Sequence, residues 1–288
     1  PVLETADVVV EQFRPGVMDR LGLGYDALSA INPRIVYCAI TGYGQYGPRA
    51  DVAAHDLNYV AESGMLSLTA GADGAPVLPV ALVADIAGGT YPAVINILLA
   101  LRERDRTGAG CKLDIAMADN LFTLMYWGLG NGLAAGEWPT RGGNLVTGGS
   151  PRYNIYRTAD DHFLAAAPLE QKFWENFCAL LDVPAELRND SRDPTSTQNA
   201  VAQLVGARSA DELRSLFSGH DVCCAIVTSL QDAFADRHFA ARRVFARQLS
   251  AGTQKIAALP VPVAEAFRST ENAAGYPALG EANDLLKK

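Results

Sequence analysis

The sequence predicts an α/β protein: a larger domain on a Rossmann-like parallel sheet, with a smaller α+β domain. Three observations carry that expectation. Short apolar, β-branched runs (residues 6–12, 34–41 and 111–115) alternate with helical stretches, the pattern of strand–helix–strand units with helices on both sheet faces. From Asn154 the pattern changes to a hairpin followed by amphipathic helices. The composition, 49% hydrophobic and 19% charged over 288 residues, suits a chain that buries a sizeable core. The expected division is residues 1–153 for the large domain and 154–249 for the small one. Residues 250–288 are expected to return to the large domain and end in a helix.

The chain begins Pro1-Val2-Leu3-Glu4 without methionine and enters a strand within a few residues. It reads as starting inside an α/β unit, so an N-terminal part of the natural protein is expected to be missing. Phe13-Arg14-Pro15-Gly16 ends the first strand in a turn, and Tyr25 to Asn32 reads as a short helix. After the second strand, Gly42 to Arg49 forms a loop and Val60 to Leu68 a helix. Val80-Ala81-Leu82-Val83-Ala84-Asp85 is strand-like and ends on a carboxylate, with a helix expected over Ala93 to Arg104. Ala116 to Leu133 reads as one long, almost uncharged helix, and residues 138–153 as a Gly-rich loop. In the small domain, residues 154–158 and 162–167 pair around Asp160-Asp161. Helices are expected over 172–181, 209–218, 231–236 and 238–245, a strand over 222–227, and a terminal helix over 281–287.

A net charge of −8 without a Lys/Arg run argues against nucleic acid or an anionic membrane as partner. The longest apolar stretches, such as Ala93 to Leu101, are expected to be too short to span a bilayer. Five cysteines without Cys-x-x-Cys or Cys/His ligand spacing suggest a reduced, cytosol-like compartment and no structural zinc. Gly22-Leu23-Gly24 lacks the third glycine of a dinucleotide fingerprint and follows no strand.

The chemistry is expected between His55 and the helix behind Asp85. An imidazole and a carboxylate in one cleft provide two acid/base groups that work near neutral pH. Asp85 could equally be no more than a helix cap. Arg14 and Arg20 stand beside the crevice that a parallel sheet offers past the carboxyl ends of its strands, although both also suit a solvated surface.

Several motifs, in order and over nearly the whole chain, carry a resemblance. They are Glu11-Gln12-Phe13-Arg14-Pro15-Gly16, Leu21-Gly22-Leu23-Gly24, Thr41-Gly42-Tyr43-Gly44-Gln45-Tyr46-Gly47-Pro48, His55-Asp56-Leu57-Asn58-Tyr59 and Gly148-Gly149-Ser150-Pro151. The chain resembles the family III CoA-transferase superfamily, and within it the α-methylacyl-CoA racemase branch. The resemblance implies that the missing start holds the first strand–helix units. It also implies an interlocked homodimer whose active sites form between the large domain of one chain and the small domain of the other.

The resemblance further implies that His55 and Asp85 are two bases, with Ala54 replacing the glycine of the family's motif. By the same likeness Glu170, opening the first helix of the small domain, holds the His55 imidazole in one tautomer. Gln12, Phe13, Arg14, Arg20, Ala54, Asp56, Leu57, Asn58 and Tyr59 match positions that contact CoA. The implied substrate is an acyl-CoA thioester, with no metal or further cofactor. Inverting a carbon α to a thioester requires a proton taken from one face and returned on the other, through an enolate. Backbone N–H groups around Asp85–Ile86 are expected to serve as donors to its oxygen. In the transferase branch the same Asp position is a nucleophile that ends as an aspartyl-CoA thioester, and this alternative stays open. So does a non-catalytic CoA-binding fragment.

Overall fold

The structure is a computed structural model that describes residues 2–71, 73–268 and 273–286. A short helix, α1 (Val2–Thr5), precedes strand β1 (Val8–Glu11), and helices α2 (Val17–Arg20) and α3 (Tyr25–Ile31) lead to β2 (Val36–Thr41). Strand β3 (Cys111–Ala116) completes a parallel sheet in the order β1-β2-β3. The sheet is thus parallel, as expected, and β2 lies buried at its centre. Helices cover both faces. Leu28 of α3 packs with Tyr37 and Ala39 on one side. On the other, Ala93 and Ile97 pack with Cys38, Ile40 and Ile115.

The segment between β2 and β3 departs from the sequence reading in two places. Helix α4 (Asp56–Glu62) starts at the polar knot and not after it, and a 3-10 turn (Met65–Leu68) follows. The Asn58 side-chain oxygen reaches back to the His55 N–H at 3.0 Å, a reciprocal N-terminal cap that fixes the helix start there. No strand forms over 80–85. Val80 and Leu82 are exposed, and no neighbouring strand offers a ladder of hydrogen bonds. Instead the chain enters a π-helical turn, Ala84–Thr90, which runs directly into α5 (Tyr91–Thr107).

Pro92 explains the wide turn. Proline has no N–H for the carbonyl four residues back, here Gly88, and its ring crowds that oxygen. In the structure the Asn120 side chain donates to the Gly88 oxygen at 2.7 Å in its place. The Tyr91 N–H pairs one residue further back, with the Ile86 oxygen. Gly88 and Gly89 sit against Met117, and a Cβ on Gly88 would lie 2.4 Å from the Met117 carbonyl oxygen. Only glycine admits that contact.

The continuous helix Ala84–Thr107 has 24 residues and a mean hydropathy of 1.4 over its most apolar window, enough in length and composition to cross a membrane. The expectation that every apolar stretch is too short is therefore corrected. Gly88, Gly89 and Pro92 look like breakers in the sequence, yet the helix runs through them. One face packs on the sheet through Ala93 and Ile97, while Val94, Ile95, Leu98 and Leu99 are exposed.

The expected single helix over 116–133 is also divided. It comprises α6 (Met117–Leu121), a 3-10 turn (Phe122–Met125) and α7 (Tyr126–Ala135). The Gly-rich stretch after it folds on itself, and Gly148 accepts from Asn154 and Gln198.

The hairpin appears as β4 (Asn154–Arg157) and β5 (Phe163–Ala166), with α8 (Gln171–Leu181) after it. Helix α9 (Pro194–Gly206) was not anticipated, although Asp193 caps it and Pro194 opens it. Then come α10 (Ala210–Phe217) and β6 (Cys224–Ile226), which extends the hairpin into a three-stranded antiparallel sheet. Trp174, Phe177, Leu181, Val201 and Leu213 form the core, and the Trp174 indole donates to the Arg188 oxygen at 2.7 Å. Helices α11 (Leu230–Phe234) and α12 (Arg237–Ala241) are shorter than expected.

Beyond them, β7 (Gln248–Ala251), β8 (Gln254–Ala257) and β9 (Ala273–Gly275) form a third sheet that the sequence reading did not assign to strands. At the terminus a 3-10 turn, Asn283–Leu286, stands where a helix over 281–287 was expected, and Lys287 lies outside the described residues.

Candidate active site

The candidate site lies past the carboxyl end of β2, where a parallel sheet opens its crevice. A cavity of about 530 Å³ there is lined by the turn after β1, the end of β2, the approach to α4 and the π-helical turn. Gln12, Phe13, Arg14, Ala54, His55, Tyr59 and Asp85 all border it. The two candidate bases therefore share one cavity, although thirty residues separate them in sequence.

Each wall has a local cause. Glu11 is buried at the end of β1, where its carboxylate accepts the Phe13 N–H at 2.8 Å and the Tyr37 hydroxyl at 3.3 Å. That bends the chain outward and leaves Gln12, Phe13 and Arg14 exposed at the mouth. Arg14 has no carboxylate partner among the described residues. Tyr59 donates its hydroxyl to the Ala54 oxygen at 2.8 Å and meets the Tyr43 ring edge-on at 5.1 Å. Gly42 must be glycine here, because a Cβ would fall 2.3 Å from the Tyr59 ring.

The loop after β2 is pinned from both ends. The Gln45 N–H donates to the Asp114 carboxylate at 3.0 Å, and Glu62 accepts from Tyr43 at 2.5 Å and from Arg49 at 2.7 Å. Thr41 and Met117, which the sequence reading did not single out, also line the cavity. Thr41 stood within a quoted motif, whereas nothing local marks Met117.

Electrostatics distinguish Asp85 from an ordinary surface carboxylate. Burial raises its pKa above the usual range, and the neighbouring Asp56 charge pushes it further the same way. His55 pulls in the opposite direction. The Tyr59 phenol is raised too, by burial and then by the charges of Asp85 and Asp56. A carboxyl displaced upward is easier to protonate, and its carboxylate is a stronger base, which suits a group that alternates between acid and base.

Several expected residues stand elsewhere. Arg20, Asp56, Leu57, Asn58 and Glu170 do not line the cavity. Glu170 is the N-cap residue of α8 in the small domain. Asn58 serves as the cap partner of His55. Asp56 is 6% exposed, and its Oδ1 accepts the Ala84 N–H at 2.6 Å and the Asp85 N–H at 3.0 Å. The Ile86 N–H is taken by the Leu82 oxygen. The expectation that amides at Asp85–Ile86 serve an enolate oxygen is thereby corrected, since these donors are already bound.

The chain is similar to several known proteins. The model of CoA-transferase family III matches residues 2–283. The mouse α-methylacyl-CoA racemase is 32% identical over 280 residues, covering 96% of this chain and 72% of the relative. The mouse succinyl-CoA:glutarate CoA-transferase is also 32% identical, over 243 residues, covering 80% of this chain and 54% of that protein. Among solved structures, a CaiB/BaiF family protein from Brucella suis superposes with a TM-score of 0.78 at 29% identity. It is covered to 76%, with 99% of this chain aligned.

Proposed function

The chain belongs to CoA-transferase family III, and we propose that within it the protein is an acyl-CoA racemase that inverts the α-carbon of a 2-methylacyl-CoA. The observation that carries this reading is that His55 and Asp85 border one cavity and that Asp85 is displaced upward in pKa. One group takes the C2 proton and leaves an enolate conjugated with the thioester. The other delivers a proton to the opposite face. In the reverse direction the roles exchange. Atoms balance without metal or redox chemistry, and CoA takes part only as a piece of the substrate. Glu170 enters this scheme from the small domain of a second copy, in a homodimer.

Arg14 meets the CoA phosphates in this reading. Arg14→Ala is expected to raise the apparent substrate constant by about tenfold to a hundredfold and to change turnover far less, since charge-assisted contacts away from the reacting carbon contribute uniform binding. Calorimetry with CoA checks it, and unchanged affinity returns Arg14 to a solvated surface.

The reaction class is tested in heavy water. A 2-methylacyl-CoA of either configuration is expected to gain deuterium at C2 without an acceptor acid, and hydroxylamine is expected to leave Asp85 unmodified. The transferase reading, which relatives such as the glutarate transferases keep in view, demands the reverse. It requires an acceptor acid, an aspartyl intermediate captured as a hydroxamate, and an untouched C2 hydrogen. Mass spectrometry of Asp85 decides between them.

A further inference from the structure

Asp56 follows His55 directly in sequence, yet its carboxylate is buried and does not line the cavity. Its Oδ1 holds the amides of Ala84 and Asp85 together, at 2.6 Å and 3.0 Å. These are the first amides of the π-helical turn, which have no acceptor within the helix and which a buried helix start must satisfy from outside. Ala84 is fully buried and packs with Tyr59, Val60 and Leu121, so the contact is shielded from water. One side chain thus ties the peptide that carries Asp85 to the peptide that carries His55. A clamp on the amide of a residue fixes where its side chain departs from the backbone.

We propose that Asp56 is a positioning residue, which locks Asp85 relative to His55 and acts on Asp85 and not on the substrate. This rests on the reading of Asp85 as an acid/base group. Asp56 is bound to backbone and does not line the cavity, whereas a ligand to CoA would have to reach into it. Its charge also faces Asp85. The other titratable group acting on Asp85 is His55, which opposes Asp56, and Tyr59 of the same helix feels the charges of both carboxylates. Segment α6 presents Met117 and Asn120 to the π turn, and neither carries charge. Arg14 stands across the cavity.

Two variants separate geometry from charge. Asp56→Asn keeps an acceptor oxygen for both amides and removes the charge. Removing a negative neighbour lowers the Asp85 pKa, so the acid limb of kcat/KM should move to lower pH for the enantiomer that Asp85 deprotonates. Asp56→Ala removes both contacts, and a displacement of about an ångström at the base should lower kcat by roughly a hundredfold with KM nearly unchanged. Should the alanine variant fail to fold, the pH profile of Asp56→Asn alone decides. An unmoved acid limb in Asp56→Asn, or a rise in KM with kcat intact in Asp56→Ala, overturns the proposal and makes Asp56 a substrate contact. If the wild-type protein exchanges no deuterium, the racemase reading fails by itself. The same kcat-against-KM split is then read on CoA transfer, for which Asp85 needs the same placement.

Discussion

His55→Ala and Asp85→Asn are each expected to lower epimerisation of a 2-methylacyl-CoA by about 10²–10⁴-fold, the usual contribution of a positioned acid or base. CoA affinity should stay within about threefold, because the residues at the cavity mouth are untouched. The two losses should not add. Once one face has no proton acceptor or donor, the other group cannot complete an inversion, so the double variant should resemble the worse single one. A further signature distinguishes the pair. Each single variant should still exchange the C2 proton on the face that keeps its base, so one enantiomer washes out deuterium while racemisation stops. Chiral analysis of the thioester alongside proton exchange reads both quantities. Turnover close to wild type in either variant removes that residue from the chemistry.

Gly88→Ala is expected to destabilise the protein by about 1–3 kcal/mol and to impair activity with it. The added Cβ would lie 2.4 Å from the Met117 carbonyl oxygen and 3.2 Å from its carbon, and both are backbone atoms at the start of α6. A flexible side chain could yield. Here the π turn and the β3–α6 junction must part, which is the overpacking case. Gly130→Ala is the control. No atom lies within 4 Å of its Cβ position, and it is helical, so the same change should be neutral or stabilise by up to about 1 kcal/mol. Denaturant midpoints of the two variants check the contrast. Equal stability of Gly88→Ala and the parent chain would mean that this contact is looser than it appears.

The parallel sheet could be read from the sequence because its strands are short, apolar and separated by helices of ordinary length. The hairpin of the small domain was as readable, since its two runs flank Asp160-Asp161. Features decided by distant partners were not. Val80 to Asp85 has a strand's composition but finds no strand beside it, and Asp56 takes the amides at its end. The role of Asp56 depends on residues 28 and 29 positions away, a separation that no local pattern reports. Motif resemblance grouped Asp56 with its neighbours as CoA contacts, because position in a motif does not say where each side chain points. Helix α9 is a different case, for Asp193-Pro194 is a local start signal that needs no distant partner. In the last sheet, β9 joins β7 from more than twenty residues away, and neither segment is apolar enough to stand out.

The π turn ahead of Pro92 also sets a phase. Each residue along an α-helix advances the side-chain direction by about 100°. Packing of Ala93 and Ile97 on the sheet fixes the rotation of α5, and an uninterrupted α-helix would carry that rotation back unchanged to Asp85. The wide turn holds one residue more than an α turn would, so Asp85 leaves the axis about one residue out of step with the packed face. The direction in which this carboxylate looks is therefore written seven residues downstream, in a proline that never touches the cavity.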